Sequence, residues 1–202
     1  MIKKLFDNCR KPKGKFGTLM VKTMNIGHKP ISVWGMSHMG LKTADHVLDI
    51  GCGGGGNIQR MLSICSDGKV DGVDYSPASV DASRNTNTSE LGKRCTIKEG
   101  NVLSLPFEDN TYDIVTAFET IYFWPDIRHS FSEVYRVLKD NGRFGIVCEL
   151  GNPDKTFWTK VVDMNIYSTD DISAHLEAVG FSVKSVNRKR DWYCVLAEKT
   201  AP

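Results

Sequence analysis

His46-Val47-Leu48-Asp49-Ile50-Gly51-Cys52-Gly53-Gly54-Gly55-Gly56-Asn57 is the stretch whose reading decides the fold. His46–Ile50 is short, mostly apolar and of strand length, and it stops at five glycines within six residues. A helical pattern follows, with Ile58, Met61, Leu62 and Cys65 on one face of Asn57–Cys65. Strand, glycine loop and helix in that order form a nucleotide-binding arrangement. The glycines permit a tight turn and let the backbone approach a ligand closely.

Working outward, short apolar runs alternate with helical patterns. Lys69–Tyr75 reads as a second strand, and Ser76-Pro77 as a helix start, with Ser as cap and Pro in the first turn. Cys95–Glu99 and Tyr112–Glu119 are the third and fourth strands. Pro125-Asp126 opens a helix running to Lys139, with Ile127, Phe131, Val134, Tyr135 and Leu138 on one face. Asn141-Gly142 is a turn, and Arg143–Leu150 a fifth strand. Ser168–Val179 is a helix capped by Ser168 or Thr169, with Asp170 and Asp171 at its positive end and Gly180 stopping it. Phe181–Val186 and Trp192–Glu198 close the chain as a hairpin. Alternating strands and helices predict a parallel sheet with right-handed crossovers. The expectation is an α/β three-layer sandwich: a Rossmann-like, mostly parallel, seven-stranded sheet with one antiparallel strand in the C-terminal hairpin. Residues 1–43 read as a basic arm and lid helices, residues 44–202 as the ligand-binding domain.

The chain has 202 residues, 41% hydrophobic and 25% charged, which suits one globular domain with a real core. The net charge of +2 argues for neither nucleic acid nor membrane, although Met1–Pro30 holds Lys3, Lys4, Arg10, Lys11, Lys13, Lys15, Lys22 and Lys29 against Asp7 alone. None of the six cysteines forms a Cys-x-x-Cys pair, and no Cys/His group has zinc spacing, so no metal site is expected. No signal-peptide pattern and no apolar run of the roughly 20 residues that span a bilayer occurs. These features predict a cytoplasmic protein with reduced thiols. Cys52 reads as a small filler of the glycine loop.

The loop alone leaves two ligands open. Gly51 through Gly56 satisfies G-x-G-x-x-G, and Asp74 ends the next strand where a ribose-binding acid belongs, as an NAD-type oxidoreductase requires. Asp49 weighs against that reading. Its carboxylate, two residues before Gly51, would repel a pyrophosphate, but would attract a ligand carrying an ammonium and a sulfonium.

The ordered motifs resemble a class I S-adenosylmethionine-dependent methyltransferase, of the small-molecule group that includes the ubiquinone/menaquinone-biosynthesis enzymes. Val47–Gly55 is similar to that family's first motif, and Gly72-Val73-Asp74-Tyr75-Ser76-Pro77 to its second. Gly100-Asn101-Val102 through Leu105-Pro106-Phe107, and then Tyr112-Asp113-Ile114-Val115, are similar to the next two. Arg136-Val137-Leu138-Lys139-Asp140-Asn141-Gly142 resembles the turn before strand five. The resemblance covers roughly residues 44–150 and implies S-adenosylmethionine as cofactor. It implies that Gly51, Gly53 and Asn57 line the methionine part, and that Asp49 helps to hold the ammonium. Asp74 would accept both ribose hydroxyls, which its two oxygens permit. Tyr75 would pack on the adenine, and Asn101 and Val102 would meet its edge. The family usually has Asp at the position of Asn101. Glu119 would lie near the methionine or the acceptor.

Methyl transfer is an in-line displacement, so the acceptor must be held against the methyl with water kept out. His28, Tyr122 and Glu119 are the candidate catalytic residues. His28 titrates near neutrality, and Tyr122 offers a ring and a hydroxyl. Trp34, His38, Tyr122, Trp158 and Tyr167 are the candidate acceptor-pocket residues, while Phe123 and Trp124 read as core and His129 as surface. The strand-four loop lacks the Asn/Asp-Pro-Pro-aromatic motif of exocyclic-nitrogen methylation. The expected partner is a small-molecule acceptor. Nucleic acid is not expected, and oligomeric state is not readable. A non-catalytic or nucleic-acid-binding relative using the basic arm stands as the reading from another class.

Overall fold

The computed structural model describes residues 27–149 and 164–200. Its elements in chain order are helix α1 (Lys29–Met36), β1 (His46–Ile50), α2 (Gly56–Ile64), β2 (Lys69–Asp74), α3 (Pro77–Thr86), β3 (Ile97–Glu99), β4 (Tyr112–Phe118), a 3-10 turn (Ile121–Phe123), α4 (Ile127–Val137), β5 (Leu138–Cys148), α5 (Thr169–Glu177), β6 (Phe181–Lys189) and β7 (Trp192–Lys199). The seven strands form one sheet in the order β3-β2-β1-β4-β5-β7-β6. β1 to β5 run parallel. β7 is antiparallel to both of its neighbours, β5 and β6. This is the predicted three-layer α/β sandwich with one antiparallel strand.

A sheet covered on both faces needs apolar residues pointing both ways, and β1 supplies them. Leu48 and Ile50 enter a core holding Trp124, Phe131, Phe144, Ile172 and Leu176, beneath α4 and α5. Val47 enters the opposite core, with Ile31, Met36, Ile58, Met61 and Leu62, beneath α1 and α2. The helix signals act as read. Ser76 accepts from Ser79 N–H at the start of α3, with Pro77 in the first turn. Ser168 and Asp171 form a reciprocal capping box on α5.

The borders of β5 differ from the expectation. α4 ends at Val137 rather than Lys139, because Leu138 is already extended and pairs with Tyr112. The strand register then shifts between Tyr112 and Ile114, and Asn141 takes φ 61. The Asn141-Gly142 turn is therefore an irregularity inside β5, not a loop before it. Of the predicted lid helices, α1 lies among the described residues. It packs flat on the sheet: a Cβ on Gly35 would stand 2.5 Å from a Val147 methyl, a distance only glycine permits. Helix α1 carries Ser32, and His28 before it, to the carboxyl end of the sheet.

Candidate active site

β1 leads to β2 and β3 on one side, and the chain then crosses to β4 on the other. Strand order thus reverses at β1, and ligands in such sheets bind beyond the carboxyl ends at that reversal. A cavity of about 300 Å³ lies there. Its walls come from the loop after β1 (Ile50–Gly54 and Asn57), the end of β2 (Val73–Tyr75), the loop after β3 (Gly100–Val102), the end of β4 and its following turn (Phe118–Thr120, Phe123–Pro125), and His28 and Ser32.

The glycine loop is built for backbone approach. Gly51 and Gly53 take φ of 72 and 52, in the left-handed region that favours glycine. A Cβ on Gly53 would meet no atom within 4 Å, so this backbone faces open cavity. The Gly53 N–H donates to Asp74 Oδ2 at 3.0 Å, and the Ser76 N–H donates to Oδ1 at 2.9 Å. Asp74 thereby ties the glycine loop to the start of α3. The Tyr75 N–H is a third backbone donor to this carboxylate, so about one of its four acceptor sites is left. Burial raises its proton affinity, and its backbone donors oppose that rise.

Asp49 stands apart from the walls, which begin at Ile50. Its side chain is buried between β1 and β4, and Oδ1 accepts from the Thr116 hydroxyl at 2.8 Å. Burial pushes its carboxyl up to about 7; the Thr116 hydroxyl opposes this and the nearby Asp74 charge adds to it. Asp49 is therefore a charge just beneath the loop rather than a contact surface. Asn57 is a wall, and its Oδ1 accepts from Arg60. Tyr75 is exposed at the rim. Val102 and Asn101 are walls opposite the loop, and Asn101 Oδ1 already accepts from the Leu103 N–H at 3.0 Å. The amide nitrogen of Asn101 and one lone pair on its Oδ1 have spare capacity. Cys52, the expected filler, is buried on the wall, and burial pushes its thiol well above its ordinary range.

The far wall differs from the sequence reading in one exchange. Tyr122 is core, not pocket: its ring is buried among the apolar residues under α4, and it is not among the cavity walls. Its hydroxyl instead donates to Glu119 Oε2 at 3.0 Å. The neighbouring Phe123 and Trp124, read as core, are walls, and both serve the core as well. Ile121–Phe123 is a 3-10 turn, which rotates successive side chains by about a third of a turn and so sends Tyr122 and Phe123 different ways. Glu119 is a wall with φ 56. Its Oε1 accepts from the Glu149 N–H at 2.5 Å. Burial pushes its carboxyl up to about 7, against the two donors that hold it. His28 is a wall, and burial lowers its pKa while Glu149 raises it.

The remaining pocket candidates lie elsewhere. Trp34 packs edge-on to His38 at 4.9 Å and against Trp192 of β7 at 5.9 Å, and neither Trp34 nor His38 reaches the cavity. Helix periodicity explains this: Ser32 faces the cavity, and Trp34 lies two residues further round the helix. Tyr167 packs on the core under α4 and α5, edge-on to His175, away from the walls. Trp158 lies outside the described residues. His129 is exposed, as read. Ser32, Thr120 and Pro125 are walls that the sequence reading did not single out.

The charge of the site selects between its two ligand classes. Among the described walls are two carboxylates, Asp74 and Glu119, and no Lys or Arg, with Asp49 buried behind them. The carboxylates would repel a pyrophosphate, with no Lys or Arg wall to offset them, and would attract an ammonium and a sulfonium. An open glycine cradle at one end, a carboxylate with a free lone pair at the ribose position, and a ligand cavity ringed by negative charge fit S-adenosylmethionine. No group of three or more His, Cys, Asp or Glu among the described residues could hold a metal ion.

Fold and site together define a Rossmann-like domain whose site fits S-adenosylmethionine. Residues 48–146, just under half of the chain, match the family model described as a methyltransferase domain. The chain is 37% identical over 118 residues to the demethylmenaquinone methyltransferase of Symbiobacterium thermophilum, covering 57% of this chain and 47% of that one. It is 34% identical over 140 residues to the enzyme of the same name from Lactiplantibacillus plantarum, covering 64% and 58%. The chain thus matches about half the length of these curated relatives. A crystal structure of an S-adenosylmethionine-dependent methyltransferase from Aquifex aeolicus superposes with a TM-score of 0.77 over 91% of this chain and 98% of that one, at 21% identity. No helix of the described residues is long and apolar enough to cross a membrane.

Proposed function

We propose that the chain transfers a methyl group to a small, largely apolar acceptor held between the glycine loop and the β4 turn. The observation that carries this reading is a cavity with negative groups at both ends and aromatic walls at one. S-adenosylmethionine, when bound, supplies an electrophilic methyl group on a positively charged sulfur. Gly51, Gly53 and Asn57 would line its methionine portion, and Asp74 would accept from the ribose with the acceptor capacity left by its three backbone donors, Gly53, Tyr75 and Ser76. Tyr75, Asn101 and Val102 would flank the adenine, with Asn101 as donor. Asp49 would favour the positive ligand through its charge, from beneath the loop.

The acceptor half would consist of His28, Ser32, Phe118, Glu119 and Phe123–Pro125. The aromatic side chains hold a flat apolar body and exclude water, which strengthens the electrostatic effects inside. Relatives named for their acceptors include the demethylmenaquinone enzymes and the sterol 24-C-methyltransferase of Aspergillus fumigatus, 32% identical over 109 residues. Both names indicate ring-bearing, lipophilic acceptors, in keeping with these walls. The region up to residue 43 would serve as an arm and lid, with α1 presenting His28 and Ser32.

The test is transfer of tritiated methyl from S-adenosylmethionine into organic-extractable product, with a short-chain demethylmenaquinone analogue and a pool of polar metabolites as acceptors. Label should enter the organic fraction. Label confined to polar products would contradict an apolar acceptor.

A further inference from the structure

We propose that Asn87, at the far end of α3 and outside the cavity, is a positioning residue that holds the glycine loop in its ligand-binding shape. Its effect falls on the half of the ligand that the loop lines. This deepens the cofactor part of the reading just given and rests on it.

The amide of Asn87 reaches from one helix to the loop before another. Asn87 follows the last residue of α3 and is only 2% exposed. Its Nδ2 donates to Gly55 O at 3.1 Å and to Ser83 O at 3.0 Å. An amide nitrogen carries two N–H donors, and these two carbonyls use both. The opposite orientation would set Oδ1 against two carbonyl oxygens, so the direction of the amide is fixed. The bond to Ser83 ties the side chain to its own helix. The bond to Gly55, 32 residues away in sequence, ties that helix to the loop.

Gly55 is the point at which a hold on the loop has most effect. It is the last residue before α2 and takes φ 77. Its N–H donates to Cys52 O at 2.9 Å, which closes the turn containing Gly53. Its C=O also accepts the first bond of α2, from the Gln59 N–H at 3.1 Å. Asn87 therefore holds the carbonyl at which turn becomes helix. The contact is close: a Cβ on Gly55 would stand 2.4 Å from Ser83 Oγ and 2.5 Å from Asn87 Nδ2.

The loop is thus anchored at two points on one segment. Before α3, Asp74 accepts from the Gly53 N–H; after α3, Asn87 donates to Gly55 O. The ten residues of α3, roughly 15 Å of helix, separate the anchors. The near anchor is itself a cavity wall at the proposed ribose position, whereas the far anchor touches the cavity only through the loop. Gly51 and Gly53, the walls that the loop presents, face the proposed methionine portion.

The rest of the amide argues that its donor is what matters. Oδ1 of Asn87 is buried and accepts from no described residue. A side chain present only to fill the space between α2 and α3 would carry no such atom, since leucine fills a similar volume without a polar group to bury. What the amide supplies and leucine lacks is the bond to Gly55.

The test compares two ligands by calorimetric titration. One is S-adenosylhomocysteine; the other is 5′-methylthioadenosine, which keeps the adenosine and the sulfur but lacks the amino-acid end. Asn87→Leu should bind S-adenosylhomocysteine about threefold to tenfold more weakly, the worth of one uncharged hydrogen bond, and 5′-methylthioadenosine as wild type does. A general loss of structure would weaken both. Asn87→Ser, which lacks the reach to Gly55, should give the same pair of readings and serves if the leucine variant does not fold. Thr88→Ala removes a hydroxyl that donates to the carbonyls of Arg84 and Asn85 at the same helix end without reaching the loop, and should bind both ligands as wild type. Equal losses for the two ligands, unchanged S-adenosylhomocysteine affinity in Asn87→Leu, or the same split in Thr88→Ala would each overturn the proposal. Wild type that binds neither ligand would instead defeat the reading beneath it.

Discussion

Asp49 illustrates how a single residue both identifies the site and strains the fold. Its carboxyl has no cationic neighbour given by the structure, only the Thr116 hydroxyl and the like charge of Asp74. Its folded pKa of about 7 lies above the ordinary carboxylate value, so between about pH 4 and 7 the folded state binds more protons than the unfolded one. The contribution of Asp49 to stability therefore falls as pH rises through that window and levels off above it. Asp49→Asn removes the penalty. In ligand-free protein the variant should gain on wild type by up to the order of 1 kcal/mol per pH unit between about pH 5 and 7, as read by urea unfolding. A constant difference across that range would mean that Asp49 is already ionised and paired. The sign of its charge was legible in the sequence, and so was its place before the glycines. Its withdrawal behind the wall was not, because the position of a strand-end side chain depends on the neighbouring strand that supplies Thr116.

At the scale of elements, strand and helix positions followed from apolar periodicity and caps. Ser76-Pro77, Asp126 and Ser168 start their helices where the sequence places them. What periodicity did not convey was phase. On the 3-10 turn Tyr122, chosen for its ring and hydroxyl, is buried in the core, while Phe123, read as core, lines the cavity and packs against that core as well. In the N-terminal segment the candidate His28 lines the cavity, the candidates Trp34 and His38 do not, and Ser32 does. The seat of α1 is set by Gly35, whose Cα lies against Val147. Gly35→Leu should therefore cost about 1–3 kcal/mol through overpacking, measured by thermal unfolding. It should also weaken binding of the short-chain acceptor analogue by displacing His28 and Ser32, with S-adenosylhomocysteine affinity less affected. Unchanged stability would show that α1 is not seated through this contact.

For the whole molecule, the sheet order is what turns scattered motifs into one site. Residues as far apart as Ser32, Asp74 and Pro125 meet because strand order reverses at β1. The alternation of elements predicted the parallel sheet but not its strand order, because it does not say on which side of β1 each crossover lands. The charge of the cavity followed only in part, since the absence of Lys and Arg from the described walls is a property of the folded surface. The account stands on a cavity that prefers the positively charged cofactor's family of ligands to a dinucleotide, with Asp74 at the ribose. Calorimetric titration of wild type and Asp74→Ala with S-adenosylhomocysteine, and of wild type with NADH, tests this directly. Wild type should bind S-adenosylhomocysteine and not NADH, and Asp74→Ala should lose about tenfold to a hundredfold in affinity, the worth of hydrogen bonds to a charged group. Binding of NADH without S-adenosylhomocysteine, or undiminished affinity in Asp74→Ala, would contradict the account.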